Sequence, residues 1–429
     1  MMKEAIVTRG PEVTIADSEI PSPGPDQLVI RVVVSGSNPK DWKVTEWLGK
    51  TMNTGDDIAG IVHSVGSNVW EFKPGDRVAS FHEMLTPGGS FAEYALGRQH
   101  TTFHLPSKVS FEEAATLPLA YMTSALGLHL RLGLPVPWTP ATEPTPLVVY
   151  GGASAVGAFV IKLAVKSNIH PIITVAGRGA DFVEGLIDRS KGDTIVDYRK
   201  GDDAVVQGIR DALKGAELKY AYDATSEHNS YFNIAKAMST GGKITTVLPA
   251  KDEALPDNVE ITTTMVSTAH GDESDFAYAW FRLLARWLDE GTFKPHPHEV
   301  VEGGLNGVEK GLKGLKEGKA SAVKYVFRIA DTPGVLEGCK RLEPSHAYLR
   351  QKVPSSMQMS EVGIAPIWSR WAALAMLSSY RCAVFRLFTP SPPRRSHRGP
   401  AAKSRYGGLV GSGDWLSMVE CYQSTPSSL

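Results

Sequence analysis

The sequence predicts an α/β protein with a compact β-barrel domain followed by a doubly wound parallel sheet. Residues 1–120 are rich in β-branched residues interrupted by Gly and Pro, which predicts short strands and no long helix. Residues 147–248 instead alternate apolar runs with helical spacing, which predicts successive β-α-β units and therefore a parallel sheet. At 429 residues the chain is long enough to form both domains, each with its own core.

The segment 146–164 has the pattern of a strand that passes into a helix at a phosphate-binding turn. Gly152 and Gly157 fit the outer glycines of G-x-G-x-x-G, and Ser154 stands where the middle glycine is expected. Small residues are needed because the first amides of the helix must approach a pyrophosphate closely. The predicted contacts of this turn with a dinucleotide are Gly152, Ser154, Ala155, Val156 and Gly157.

Four further strand candidates follow this segment, at the intervals expected of a Rossmann domain. They cover residues 171–176, 193–198, 219–223 and 242–248. Val247 and Leu248, in the last of these strands, are included among the predicted cofactor contacts.

The end of the second Rossmann strand indicates NADPH as the cofactor. An NAD-binding site normally has Asp or Glu there, which binds the ribose hydroxyls and repels a 2′-phosphate. Here the strand ends at Gly177 and Arg178, and the next acidic residue is Asp181. An arginine can pair with a phosphate dianion, so we predict that Gly177 and Arg178 contact the phosphorylated ribose. The alternative for Arg178 is a solvated loop position.

Cysteines and charges narrow the possible classes of protein. The three cysteines are Cys339, Cys382 and Cys421, so a disulfide framework or a thiolate zinc site in residues 1–338 is excluded. Residues 331–429 hold 12 Lys and Arg against 6 Asp and Glu. We interpret this basic segment as a disordered tail or a non-native extension; an arm that binds nucleic acid or membrane is the alternative.

The sequence also predicts a cytoplasmic protein that binds neither nucleic acid nor membrane. The N-terminus lacks the apolar core of a signal peptide. The uncharged apolar run 371–380 is too short to span a bilayer.

Five motifs resemble those of the medium-chain dehydrogenase/reductase superfamily, across roughly residues 3–329. The resemblance is to its zinc-free quinone oxidoreductase branch and to the related fungal trans-acting enoyl reductases of polyketide synthesis. The motifs lie at residues 37–43, 55–60, 73–78, 89–94 and 117–125.

The resemblance implies a particular division of the chain. It implies a GroES-like catalytic domain over residues 1–120 and a Rossmann NADPH-binding domain over residues 121–265. Residues 266–330 are expected to return to the catalytic domain, and residues 331–429 form the basic tail.

The resemblance also implies a site without zinc. Zinc-containing members place a Cys where Asn38 stands and Gly-His-Glu where residues 55–57 are Gly-Asp-Asp. Carboxylates alone, without imidazole or thiolate partners, are a poor zinc site. We therefore predict that no metal is bound.

Several site residues are implied by position within these motifs. Tyr198 resembles the tyrosine that relatives place beside the 2′-phosphate, and Lys43 and Tyr121 are the candidate proton donors. The alternatives are that Asp41 caps a short helix and that Lys43 is solvated. The residues expected to line the nicotinamide end are Asn38, Pro39, Lys40 and Asp41.

The implied activity is an NADPH-dependent reduction, without zinc, of a C=C bond conjugated with a carbonyl. The small-molecule substrate would be an enone, a quinone or an enoyl thioester, and the protein a monomer or a homodimer. Two alternatives stay open. One is a trans-acting enoyl reductase that serves a polyketide synthase, and the other is a protein that binds NADPH without turnover.

Overall fold

The computed structural model describes residues 1–238, 240–250 and 255–335. The N-terminal part is a β-domain in which a hairpin packs beside a seven-stranded sheet. Its first strands are β1 (Met2–Thr8), β2 (Glu12–Ser18), β3 (Gln27–Gly36), β4 (Asp57–Val65), β5 (Arg77–Phe81), β6 (Tyr94–Arg98) and β7 (Thr102–His104).

The long strand β3 is the centre of this domain because it pairs with both β4 and β6. Its alternating residues Leu28, Ile30 and Val32 pack into the barrel core. The longest helix in residues 1–120, where the sequence predicts no long helix, has nine residues. Helix α1 (Lys40–Leu48) follows β3 directly and carries most of the motif at 37–43.

The second domain is a six-stranded, fully parallel sheet, as the spacing of apolar runs predicts. Its strands are β8 (Leu147–Tyr150), β9 (Ile172–Ala176), β10 (Thr194–Asp197), β11 (Tyr220–Asp223), β12 (Gly242–Thr246) and β13 (Val259–Thr263). Their order, β10-β9-β8-β11-β12-β13, is the Rossmann order 3-2-1-4-5-6. The strand order reverses at β8, and ligands bind at the carboxyl end of such a strand.

Helices cover the Rossmann sheet and connect it to the barrel. The remaining α-helices of the described ranges are α2 (Phe111–Ala114), α3 (Pro118–Ala125), α4 (Ala155–Lys166), α5 (Ala180–Glu184), α6 (Asp202–Leu213), α7 (Ser230–Ala237), α8 (Ser274–Glu290) and α9 (Val308–Lys316). Helix α8 is amphipathic and buries Trp280, Phe281 and Leu284 in the core. None of the helices in the described ranges has the length and apolar composition needed to cross a bilayer.

The chain then returns to the first domain. The last two strands, β14 (His298–Val300) and β15 (Lys324–Arg328), join the barrel sheet. Strand β15 pairs antiparallel with β3, and the amide of Ser37 donates to the carbonyl of Tyr325 at 3.0 Å. This pairing brings the start of β15 beside the loop that follows β3.

The domain boundaries proposed from sequence at residues 120, 265 and 330 stay predictions. The predicted basic tail lies outside the described residues from position 336 onward.

Candidate active site

A cleft of about 1220 Å³ lies where the carboxyl ends of the Rossmann strands face the barrel. One wall comes from the Rossmann sheet and the other from the loop after β3, from helix α1 and from the start of β15. The cleft therefore lies at the point where the strand order reverses, which is the ligand site of this fold.

The turn from β8 into α4 forms the floor of the cleft. Gly151 has a positive φ of 78°, which only glycine adopts without strain. A Cβ added at Gly157 would lie 2.2 Å from the carbonyl oxygen of Gly151, so the close approach of helix to strand requires glycine there. Ser154, Ala155 and Val156 line the cleft.

Ser154, the departure from the glycine pattern, caps the helix. Its hydroxyl accepts a hydrogen bond of 3.0 Å from the amide of Gly157. Gly152 and Gly157 themselves are absent from the cleft lining, because they serve the packing of the turn against Thr174 and Gly151. Of the five predicted contacts in this turn, the structure thus brings three to the cleft wall.

The carboxyl end of β9 carries the residues predicted to face the phosphorylated ribose. A Cβ at Gly177 would lie 2.5 Å from the ring of Tyr198, so that ring packs directly over the glycine. Arg178 is exposed beside them, and its Nη2 donates to the carbonyl oxygen of Gly318 at 2.6 Å. A guanidinium has five donor hydrogens, so this contact leaves most of them available to an anion.

Val247 and Leu248 lie just beyond the end of β12 and line the cleft. The amide of Val247 donates to the Ser226 hydroxyl at 2.9 Å, which fixes this turn against the turn after β11.

Among the residues after β3, Asn38, Pro39 and Lys40 line the cleft and Asp41 does not. The Asp41 carboxylate is fully buried and accepts a 2.7 Å hydrogen bond from the amide of Asn38. Burial raises the pKa of Asp41 to about 7, although the ammonium of Lys40 opposes this change. The prediction of a cofactor contact at Asp41 is therefore corrected: its carboxylate is buried and bonds to the backbone amide of Asn38, just before α1.

Lys40 pairs with two buried carboxylates beside the cleft. The Lys40 ammonium contacts Asp56 and lies 3.0 Å from Asp41. Burial opposes ionisation of Asp56, yet Lys40 and a hydrogen bond with His82 together lower its pKa. Lys40 is thus held mainly by carboxylates.

A second buried network joins Asn38, Asp57 and Lys324. The Nδ2 of Asn38 donates to Asp57 Oδ2 at 2.7 Å, and the Lys324 ammonium contacts both Asp57 and the Oδ1 of Asn38. The other oxygen of Asp57 accepts from the amide of Leu119 at 2.7 Å. All the polar atoms that Asp57 presents are therefore engaged.

Lys43 also faces the cleft, and its ammonium lies 2.6 Å from a carboxylate oxygen of Glu227 on the opposite wall. The Lys43 side chain is 6% exposed, whereas that of Glu227 is 41% exposed. The alternative of a solvated Lys43 is therefore wrong.

Tyr121 is not brought to the cleft, although it was the second candidate proton donor. Its ring is fully buried, and its hydroxyl donates to the carbonyl of Trp280 at 3.0 Å. Burial raises the pKa of Tyr121 well above its ordinary value, which disfavours ionisation further. We therefore remove Tyr121 from the candidates.

Two residues of the cleft lining, Lys324 and Glu227, were not predicted from the sequence. A lone lysine in the apolar strand segment 322–327 is a signal that could have identified Lys324 as a buried, paired cation. Glu227 carries no such signal, because its partner Lys43 is 184 positions away in the sequence.

Within the ranges that the structure describes, no group of three or more His, Cys, Asp or Glu side chains could hold a metal ion. The carboxylates of Asp41, Asp56 and Asp57 instead contact lysine ammonium groups.

Comparison with known proteins agrees with this architecture. Residues 24–107 match the alcohol dehydrogenase GroES-like domain. Trans-enoyl reductase fsr4 of Gibberella fujikuroi is 47% identical over 312 residues, which cover 71% of this chain and 92% of that protein. The chain belongs to the trans-enoyl reductases of the medium-chain dehydrogenase/reductase superfamily.

Other known proteins show more distant similarity. Trans-enoyl reductase resD of Aspergillus sclerotiorum is 31% identical over 364 residues, covering 76% of this chain and all of that one. A quinone oxidoreductase of Pseudomonas syringae has the same fold, with a TM-score of 0.63, 21% identity and coverage of 76% and 100%. A mycobacterial protein, Rv1454c, solved with NADPH, superposes with a TM-score of 0.61 at 19% identity, covering 76% and 99%.

Proposed function

We propose that this protein is an NADPH-dependent reductase of C=C bonds conjugated with a carbonyl, and that it works without zinc. The observation that carries the proposal is one continuous cleft, which runs from the glycine-rich turn at Ser154 to polar groups at Asn38 and Lys43. A nicotinamide dinucleotide needs this combination of an anion-binding end and a separate reaction end.

The residues of the cleft fit NADPH. The first turn of α4 would hold the pyrophosphate, since helix N-termini favour anions. Gly157 allows this turn to pack closely against Gly151. Arg178 and Tyr198 would contact the 2′-phosphate. Residues 38–40 and 247–248 would enclose the nicotinamide. The bound cofactor supplies a hydride from nicotinamide C4.

The reduction requires three events on the substrate. The β-carbon gains the hydride, the C=C electron pair moves so that the carbonyl oxygen becomes an enolate, and the α-carbon then takes a proton. Lys43 is our candidate for delivering that proton, because its ammonium lies on the cleft wall and is held by Glu227. The product is the saturated carbonyl compound together with NADP⁺.

The ion pairs of Asp56 and Asp57 support a reductase that works without zinc. The two carboxylates at the positions of the zinc ligands, Asp56 and Asp57, each contact a lysine ammonium. A divalent cation there would have to displace these ammonium groups and would find only oxygen and one imidazole as ligands.

We propose in addition that the substrate is an enoyl chain presented by a polyketide synthase. The support is the 47% identity to a trans-enoyl reductase and the apolar part of the cleft, to which Trp47, Met84 and Met265 contribute. A cytoplasmic location and a monomeric or homodimeric state stay predictions from the sequence.

The proposal is tested by a panel of electron-poor alkenes assayed with NADPH and NADH. The panel contains crotonyl-pantetheine, an enone, a quinone and an enoyl chain on a carrier protein. We expect NADPH consumption with the thioesters, in the presence of chelator. Activity only with the carrier-bound chain would favour the synthase partner, and nucleotide binding without any turnover would favour the non-catalytic alternative.

A variant pair tests the role of Lys43. Lys43→Met should lower kcat for crotonyl-pantetheine about 100-fold, which is typical for loss of a general acid. Lys50→Met, at an exposed position just after α1, is the control and should leave kcat within about twofold. Equal effects of the two variants would exclude Lys43 as the proton donor.

A further inference from the structure

The side-chain amide of Asn38 lies between two opposite charges at the wall of the cleft. Its Nδ2 donates to Asp57 at 2.7 Å, and its Oδ1 accepts from the Lys324 ammonium at 3.0 Å. All three side chains are buried, with Asn38 5% exposed. Asn38 and Lys324 both belong to the cleft lining.

Asp57 and Lys324 together fix the orientation of the Asn38 side-chain amide. An ammonium group can only donate hydrogen bonds, and a carboxylate can only accept them. A rotation of the Asn38 amide by 180° would place its oxygen against Asp57 and its NH₂ group against Lys324, so both contacts would become repulsive. Because Asp57 is itself held by the amide of Leu119, the orientation is set by a rigid frame.

The fixed orientation leaves a donor for a ligand. The NH₂ group of Asn38 has two hydrogens, and Asp57 Oδ2 is the acceptor that the described residues provide for it. A cation on Oδ1 polarises the amide and strengthens its N–H groups as donors, and burial strengthens this effect. Of the two lysines nearest to it on this wall, Lys40 is held by carboxylates and Lys43 forms an ion pair with Glu227.

We propose that Asn38 donates a hydrogen bond to the carbonyl oxygen of the substrate and stabilises the enolate that forms there, and that Lys324 and Asp57 are positioning residues for this amide. The inference rests on the proposed function, because it assigns a role within that reduction. Asn38 transfers no proton; it stabilises the oxygen while charge develops.

The kinetic test uses crotonyl-pantetheine and NADPH. Loss of one oxyanion donor typically lowers kcat about 100- to 1000-fold, so Asn38→Ala should lower kcat by about that factor. The dissociation constant of NADPH should change less than about threefold, since the pyrophosphate and the ribose phosphate would bind to the Rossmann wall and the lost bond serves the substrate oxygen. Asn53→Ala is the control: Asn53 is equally buried and bonded to Gly55, Gly89 and Phe91, but it lies outside the cleft lining.

Vibrational spectroscopy of the bound substrate detects the proposed hydrogen bond from Asn38 to the carbonyl oxygen directly. Crotonyl-pantetheine labelled with ¹³C at the carbonyl is bound together with NADP⁺, which cannot reduce it. The carbonyl stretching frequency of the bound thioester should be lower in wild type than in Asn38→Ala, and Asn53→Ala should match wild type.

The positioning role is tested by a charge-neutral double variant, Lys324→Met with Asp57→Asn. It leaves no unpaired buried charge, so folding is retained while the amide of Asn38 is free to rotate. We expect a carbonyl frequency between those of wild type and Asn38→Ala, and a lowered kcat. Lys324→Arg, which keeps the cation, should restore the wild-type frequency more closely than the double variant.

The outcomes separate this inference from the proposed function. If wild type reduces the thioester and Asn38→Ala has the same kcat and carbonyl frequency, the role of Asn38 is wrong and the reductase assignment stands. If wild type neither binds nor reduces any member of the panel, the proposed function fails and the inference fails with it.

Discussion

The two walls of the cleft differ in the groups that line them. The Rossmann wall is built from backbone and small residues, as at Gly151, Ser154 and Ala155, with Arg178 at its outer end. The barrel wall is built from charged side chains that are buried and paired, such as Lys324 with Asp57. We infer that substitutions on the first wall alter cofactor affinity, and those on the second alter stability and the chemical step.

The largest effect is expected at the barrel wall, from Lys324→Met. This variant leaves the Asp57 carboxylate buried without its cation, which typically costs about 3–5 kcal/mol in the free energy of unfolding. Urea denaturation measures the change. Lys73→Met is the control, because Lys73 pairs with Asp76 on the surface and should contribute less than about 1 kcal/mol. Similar losses in the two variants would contradict the distinction between the walls.

On the Rossmann wall, Arg178→Ala should weaken NADPH binding while leaving NADH nearly unchanged. A hydrogen bond to a charged group is worth about 1.5–3 kcal/mol, or roughly ten- to a hundred-fold in affinity. Titration of both nucleotides measures the effect. Arg199→Ala is the control, because Arg199 is paired with Asp197. Equal weakening of both nucleotides by Arg178→Ala would show that the ribose loop is misassigned.

Gly157→Ala tests the close approach of helix α4 to the strand before it. The new methyl group would meet the carbonyl oxygen of Gly151 at 2.2 Å, and overpacking of this kind costs about 1–3 kcal/mol. We expect lower stability and weaker binding of both nucleotides. Gly185→Ala is the matched control, since its nearest new contact is an ordinary 3.5 Å and its φ is −73°. Retention of full NADPH affinity in Gly157→Ala would contradict the role of this turn.

A further prediction concerns pH. The pKa of Asp41 is raised by burial to about 7 in the folded protein, above its ordinary 3.8. The folded state thus holds this proton more tightly, so the contribution of Asp41 to stability is fully present below about pH 4 and is lost as pH rises through 7. As pH rises from about 4 to about 7, the free energy of unfolding of wild type should therefore fall relative to that of Asp41→Asn. A constant difference between the two proteins across that range would contradict the raised pKa.

Much of the fold could be predicted because it depends on local patterns. The apolar runs and small residues of 146–248 specify the β-α-β order, and the structure confirms the parallel sheet. The cap at Ser154 could not be assigned from the glycine pattern, because a serine there fits both a phosphate contact and an N-cap. For the same reason Asp41 was placed in the cleft, although its carboxylate turns inward to the start of α1.

The ion pairs of the site could not be predicted from the sequence, because each joins segments that are far apart in the chain. Lys324 meets Asp57 and Asn38 only after β15 returns to β3, across 267 and 286 positions. Lys43 meets Glu227 only when the two walls face each other. Tyr121 illustrates the reverse case, in which a residue in a site-like motif is buried by the packing of α3 against α8.

The transfer of a labelled hydride tests the central claim most directly. The protein is incubated with crotonyl-pantetheine and NADPH that carries deuterium at the transferable position of nicotinamide C4, and the product is analysed by NMR. We predict butyryl-pantetheine with deuterium at the β-carbon and a solvent-derived hydrogen at the α-carbon. Deuterium at the carbonyl carbon, or no transfer to any conjugated substrate of the panel, would contradict the assignment.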